Sequence, residues 1–239
     1  MLEPMRKWRS VLFVSLLLAA SAAAGAELNA RKLHKATAAC ARGFKALERA
    51  DLSRASELFE EALALVPRFP NANLGLGHVA FARRDFESAL ARYTAARDEI
   101  AELNLVNLDR EQRAYESAQR LILKLEDEIS GLQSIPGANP VNDVQNLQQQ
   151  IDALKRVHPP TDQSAPAPPP EIFFHRGNAL FRLARVDEAI ADWETCARLD
   201  PKFGRAYAGW AVSAFQLGRT DEATTNWNKA LSLMARMTD

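Results

Sequence analysis

The sequence predicts an all-α fold built from repeated helix hairpins, and three observations carry that expectation. The first is self-similarity at a fixed spacing. Arg185-Val186-Asp187-Glu188-Ala189 returns 34 residues later as Arg219-Thr220-Asp221-Glu222-Ala223, and the same offset links Trp193 to Trp227 and Leu199 to Leu233. The second is a small–aromatic–small pattern. Ala55, Ala89, Ala189 and Ala223 are followed four residues on by Phe59, Tyr93, Trp193 and Trp227, and three further on by Ala62, Ala96, Cys196 and Ala230. Spacings of i, i+4 and i+7 mark one face of a helix. The third is composition: 47% hydrophobic and 25% charged residues suit a folded chain, and only 10 glycines in 239 residues disfavour a loop-rich β architecture.

Residues 1–26 read as a targeting segment outside the fold. Arg6, Lys7 and Arg9 form a positive start, Val11 to Ala24 is an apolar run of 14 residues, and Ala24-Gly25-Ala26 offers the small-x-small pattern of a signal-peptidase site. A spanning helix needs about 20 apolar residues, so this run is short for a membrane anchor. No cysteine lies at the cleavage point, which disfavours a lipoprotein. Cleavage after Ala26 removes Arg6, Lys7, Arg9 and Glu3 and leaves a slightly acidic chain with no further membrane-spanning candidate. The expectation is therefore a soluble periplasmic or secreted protein. Cys40 and Cys196 could pair in an oxidising compartment, but both sit in helical apolar patterns, and two separate buried thiols are expected.

Four repeat units follow, at about 36–69, 70–103, 170–203 and 204–237. Each is a helix, a short turn and a second helix. Gly43, Gly77 and Gly177 lie in the first helix of their units, with Ala211 in the matching place of the last. These small residues let backbones approach, and the aromatic of the second helix fills the space between. Pro67 and Pro201 stop second helices, since proline lacks an N–H and clashes with the preceding turn. Ala101 and Ala235 stand in the matching places of units two and four, so those helices are expected to run on. Asp187-Glu188 and Asp221-Glu222 put negative charge at helix N-termini, where the dipole favours it.

This spacing resembles the tetratricopeptide-repeat family. The resemblance implies 34-residue helix hairpins stacked into a curved solenoid, with two repeat pairs here, 27–103 and 170–239. The first unit departs from the family pattern at Ala39, Arg42 and Ala46, where larger apolar residues are usual.

Residues 104–158 interrupt the array with a different period. Tyr115, Ala118, Ile122, Leu125, Ile129 and Leu132 step by three and four, the a/d seam of a coiled coil or long helix hairpin. Asp109 fits an N-cap with Gln112 three residues on, and the turn chemistry of Ile135-Pro136-Gly137-Ala138-Asn139-Pro140 ends the helix near Gln133. Val144, Leu147, Ile151 and Leu154 form a second seam. Segments 109–133 and 142–157 are thus expected to fold back on one another, either as an enlarged helix pair continuing the stack or as a protruding arm. Residues 159–169, from Pro159-Pro160 to Pro168-Pro169, read as a proline-rich linker in extended conformation, which would let the second repeat pair move against the first.

Catalysis finds no support in the residues. The histidines His34, His78, His158 and His175 show no metal-binding spacing, and neither cysteine neighbours one. Gly75-Leu76-Gly77 lies inside a helical unit without the strand–loop–helix context of a phosphate loop. Ser53 and Ser56 have no base nearby in sequence. Basic and acidic residues tie at 30 each, so a general nucleic-acid binder, which needs a cationic face, is disfavoured. No enzyme activity, cofactor or metal is expected.

The family resemblance implies a concave face lined by the first helix of each unit. The matching positions are Cys40 and Phe44; Asn71, Leu74, His78 and Phe81; Phe174, Asn178 and Phe181; and Arg205, Val212, Phe215 and Gln216. The candidate peptide-binding groove is Phe44, Asn71, His78, Phe81, Phe174, Asn178, Phe181, Arg205 and Phe215, with the alternative that some of these phenylalanines pack between helices. Phe44 and Cys40 replace the Asn and Lys of the family's carboxylate clamp, so that clamp is absent. An apolar groove of this kind suits an amphipathic helix or an extended apolar segment of another protein. The expected function is a non-enzymatic adaptor in the cell envelope. The alternative is a structural subunit that forms a homo-oligomer through 109–157.

Overall fold

The computed structural model describes residues 23–134, 140–160 and 165–235, with side chains described from residue 29 to 234. Among them are helices α1 (Ala23–Glu48), α2 (Leu52–Leu65), α3 (Pro70–Ala82), α4 (Phe86–Gln133), α5 (Val141–Leu154), α6 (Pro170–Arg182), α7 (Val186–Leu199), α8 (Gly204–Gln216) and α9 (Thr220–Ala235). Residues 1–22 of the expected targeting segment, 135–139 of the expected turn, 161–164 of the expected linker and 236–239 lie outside the described residues. The chain divides into two compact units. One holds residues up to 101 together with 167 onward, and the other is 102–166.

The first unit contains all four hairpins: α1/α2, α3 with the first turns of α4, α6/α7 and α8/α9. The linker was expected to let the second repeat pair move relative to the first, and here the structure differs. Ile172 and Ala179 of α6 share a core with Leu74 of α3 and with Ala89, Tyr93, Ala96 and Ile100 of α4. Leu90 of α4 also packs on the cluster of Phe174, Leu180 and Trp193. The reason is burial: the apolar face of the second repeat needs a following helix to cover it, and α6 supplies that helix although 66 residues of other sequence intervene.

Each hairpin turns in the same way. Ala50, Arg84, Ala184 and Gly218, at one register position of the four repeats, all adopt positive φ, from 59° to 74°. The next residue's N–H reaches back five residues: Asp51 to the Ala46 carbonyl (3.0 Å), Asp85 to Ala80 (2.9 Å), Arg185 to Leu180 (2.9 Å) and Arg219 to Ala214 (2.9 Å). This is the Schellman closure, which satisfies carbonyls that a helix end leaves without partners. The second helices then start in two ways. Asp51 accepts from the Arg54 N–H (3.0 Å) and Asp85 from the Ser88 N–H (3.1 Å) as side-chain caps. In repeats three and four the acids instead sit in the first turn, as Asp187-Glu188 and Asp221-Glu222, where they meet the helix dipole.

α2 and α7 end before Pro67 and Pro201, whereas α4 does not stop at Ala101 and runs through 48 residues. No proline falls between 86 and 133. Asp109 is therefore not an N-cap but a mid-helix residue, and its carboxylate pairs with Arg113 one turn on.

In the second unit the heptad positions face inward. Ile122 and Leu125 of α4 and Ile151 of α5 are buried together, with Ile129, Leu147 and Leu154 packed around them. Leu123, off the seam, is exposed. Asn104 donates to the Pro166 carbonyl at 2.8 Å, tying the two ends of the unit together.

Two substitutions test this account by urea unfolding. Ala184→Gly relieves a left-handed residue and should raise stability by about 0.5–1 kcal/mol. Gly75→Ala places a methyl 2.3 Å from the Phe59 ring and should lower it by about 1–3 kcal/mol.

Candidate protein-binding surface

The stack is organised around one aromatic per repeat. Phe59 lies between Gly43 of its own first helix and Gly75 of the next repeat; a Cβ at either glycine would approach its ring to 2.7 or 2.3 Å. Trp193 is held in the same way by Gly177 and Gly209, where a Cβ would come to 2.8 and 2.7 Å. Tyr93 rests on Gly77 and, on the far side, under the stacked His175 ring (centroids 5.8 Å apart). All three aromatics are at most 2% exposed. Trp227 has the same register in α9, and it is 47% exposed. Leu231 and Met234, one and two turns on, are exposed with it.

The first helices show a parallel gradient. One register position holds Cys40, Leu74 and Phe174, all buried. Phe174 therefore supports the expected groove from beneath and does not line it. Phe44 and Phe81 pack edge-on against Phe59 (5.0 Å) and Phe86 (5.3 Å), and Phe181 lies tilted against Trp193 (5.9 Å), so these three partly buried rings pack on the core. Asn71, His78 and Asn178 are half-buried. The residues of α8 behave differently: Arg205, Val212, Phe215 and Gln216 are all exposed, Phe215 to 72%. The Arg205 guanidinium lies over Phe174 (5.2 Å) and Phe203 (5.4 Å), which positions its charge. The nine groove residues predicted from sequence are thus not one open strip. The freely presented ones are Arg205 and Phe215, and the sequence reading did not mark Trp227, Leu231 and Met234 as surface. The signal that could have drawn notice to them is their spacing, an apolar i, i+4, i+7 stripe on one helix face.

The junction of repeats two and three carries a polar group inside the stack. His78 and His175 meet edge-to-face at 4.5 Å, and the Tyr93 hydroxyl lies 2.9 Å from His78 Nδ1. Burial pushes both imidazoles below the usual histidine range, His175 to about 3; a proton on His175 would lower His78 further, and the Arg205 charge lowers His175. Nearby, Arg176 forks onto the buried Asp192, with Nε 2.6 Å from Oδ2. Burial raises the Asp192 carboxyl, and the Arg176 hydrogen bonds oppose that rise. Such a pair, half enclosed, fixes geometry more than it adds stability.

Cys40 and Cys196 are separate buried thiols, pushed up to about 12 by desolvation. At neutral pH neither is a thiolate, so neither is a nucleophile. Among the described residues, no group of three or more His, Cys, Asp and Glu side chains could hold a metal ion, and no helix is long and apolar enough to cross a membrane.

The histidine junction makes a pH prediction. Folded, both rings stay neutral, while the unfolded chain takes up protons below about pH 6.5. Stability should therefore fall as pH drops from about 6.5 towards 3, by about 1–2 kcal/mol per imidazole at pH 5. Urea midpoints at pH 7.5 and 5 measure this, and the His175→Phe variant should lose less between the two.

The tetratricopeptide-repeat pattern matches residues 40–102 and again 170–203. No curated protein matches the chain. Solved structures similar to it include one of MamA, 17% identical, spanning 82% of this chain and 96% of that one at a TM-score of 0.34. A second MamA structure is 16% identical over 89% and 94%, at a TM-score of 0.33. YrrB, described as a TPR protein with an unusual peptide-binding site, is 18% identical over 90% and 93%, at 0.28. The matched segments, the 34-residue register and the four hairpins found in the structure agree: the chain carries tetratricopeptide repeats.

Proposed function

We propose that the protein is a non-enzymatic adaptor that binds a segment of another protein, and that the contact is made chiefly on α8. The observation behind this reading is Phe215. Its register counterparts Leu47, Phe81 and Phe181 are packed into the stack, whereas Phe215 stands 72% exposed beside Val212 and Gln216. An apolar anchor near the end of α8 and a fixed Arg205 at its start suit an amphipathic helix or an extended apolar stretch lying along the helix, with Arg205 meeting a backbone carbonyl or an acidic side chain. The half-buried Asn178, His78 and Asn71 would extend the track along the preceding first helices.

The reading includes export to the cell envelope, supported by the basic start, the short apolar run and the Ala24-Gly25-Ala26 site. Oligomerisation through 109–157 is less favoured. Its heptad seam is already filled within one chain, by Ile122, Leu125 and Ile151.

Two experiments check the proposal. Affinity capture from native envelope extract should retain a partner on the wild-type chain and lose most of it, on the order of tenfold, with Phe215→Ser plus Val212→Ser. Because both residues are exposed, the variant should melt within about 0.5 kcal/mol of wild type. Equal capture by both chains would reject α8 as the contact. Mass spectrometry of the protein from its own cells should find Glu27 at the N-terminus; an intact Met1 would reject cleavage.

A further inference from the structure

Where repeats one and two meet, α2, α3 and α4 enclose a cleft of about 190 Å³. Its floor is apolar: Leu76 and Val79 of α3 are buried and Ala80 is half-buried. Its rim carries Ser56 of α2, Arg83 after α3, and Arg92 of α4. None of these is a position of the expected groove. Two residue types make the cleft. Ser56 holds the register that Leu90 and Ile190 hold at the next two junctions, where the larger side chain packs into the stack. Arg92 holds the register of Asp192 and Asn226, both buried. At the second junction Asp192 meets Arg176, with Nε 2.6 Å from Oδ2, but the register counterpart of Arg176 in α3 is Leu76. The first junction therefore has a cation beside an open space where the second has a complete ion pair.

We propose that this cleft binds a carboxylate carried on a short apolar stem, with Arg92 and Arg83 on the carboxylate and the α3 floor beneath the stem. Both guanidiniums hold neutral partners. Arg83 donates to the Leu52 carbonyl at 3.3 Å and Arg92 to Asn73 Oδ1 at 3.0 Å, and neither has an ion pair among the described residues. A guanidinium has five N–H donors, so each keeps several for a ligand. The acids nearby are already engaged. Asp85, on the rim, caps α4 by accepting from the Ser88 N–H at 3.1 Å. Glu60 accepts from the Ser56 hydroxyl at 3.1 Å, and Glu99 from Asn73 Nδ2 at 3.0 Å. Size agrees as well, since a cavity of about 150 Å³ takes a benzene-sized group. The floor selects the stem: apolar side chains gain from covering methylenes and gain nothing from a phosphate oxygen. A free small acid and the glutamate side chain of another protein both present this chemistry.

The test follows arginine Nε–Hε signals in the isotope-labelled chain, purified as its own cells process it. Sodium propionate is the probe, against sodium chloride at equal ionic strength. The Arg83 and Arg92 signals, assigned by their loss in Arg83→Gln and Arg92→Gln, should shift saturably with a Kd on the order of 1 mM. Ser56→Leu keeps both arginines and installs the residue type of the second junction. It should hold or raise the urea midpoint and weaken propionate binding by at least ~tenfold. Arg92→Gln should weaken it as much, through loss of the charged hydrogen bonds. A blocked peptide amide with a single glutamate identifies the source. Binding at least ~tenfold tighter than propionate assigns a protein side chain, and equal or weaker binding assigns a free acid. Shifts that never saturate and match those in chloride, an adventitious ion only, overturn the proposal. So does a Ser56→Leu chain that binds propionate as wild type does, because exposed arginines and not the cleft would then hold it. Inorganic phosphate binding more tightly than propionate overturns the ligand class. None of these readouts depends on what α8 binds.

Discussion

Everything in the stacked unit depends on how closely a ring can lie against a helix backbone. Phe59 and Trp193 each touch two helices at positions where only glycine leaves room, one in their own hairpin and one in the next. A ring held from both sides loses its freedom once and makes contacts over both faces, which is why one side chain per repeat can set both the hairpin angle and the stacking distance. Tyr93 shows how the rule bends. Its outer face meets His175 where the other rings meet glycine, and the result is a cluster of one buried tyrosine and two half-buried histidines. That junction is where the chain departs for the inserted unit and returns, so the one irregular contact in the stack coincides with the one interruption in the sequence.

The same rule separates what is structural from what is available for binding. In repeats one to three the next helix covers the aromatic face, and the phenylalanines of the first helices are drawn into that packing. In repeat four Phe215 and Trp227 have residue types found among their counterparts, yet they are exposed, Phe215 to 72% and Trp227 to 47%.

Much of the fold could be read from spacing. The 34-residue offset located the hairpins, the heptads located the inserted helix pair, and Pro67 and Pro201 located two helix ends. The left-handed turn residues were invisible. Ala50, Arg84 and Ala184 carry no sign of their backbone conformation, and only Gly218 has the residue type that such a position favours. Asp109 misled because aspartate three residues before glutamine fits a cap anywhere, and whether a helix starts there depends on whether another has already begun. The groove was the least legible part. Phe44, Phe81, Phe174, Phe181 and Phe215 are one residue type on one kind of helix face, and their different exposure is decided by neighbours that no local pattern encodes. The stacking of α6 on α4 across the insert was hidden for the same reason, since the proline-rich stretch signals a linker without saying what it links.

The inserted unit leaves the stack after Ile100 and re-enters before Ile172, and those two side chains sit in the same buried cluster. Exit and entry are therefore neighbours in space. A segment whose ends are pinned side by side can lengthen, shorten or be replaced with little consequence for the scaffold that holds it, because closing a longer loop changes its entropy only logarithmically. In descent, this joint would behave as a graft point. The helical stack on either side is constrained by its clasped rings, while the grafted piece is free to diverge, and lineages carrying this architecture would differ most between these two isoleucines.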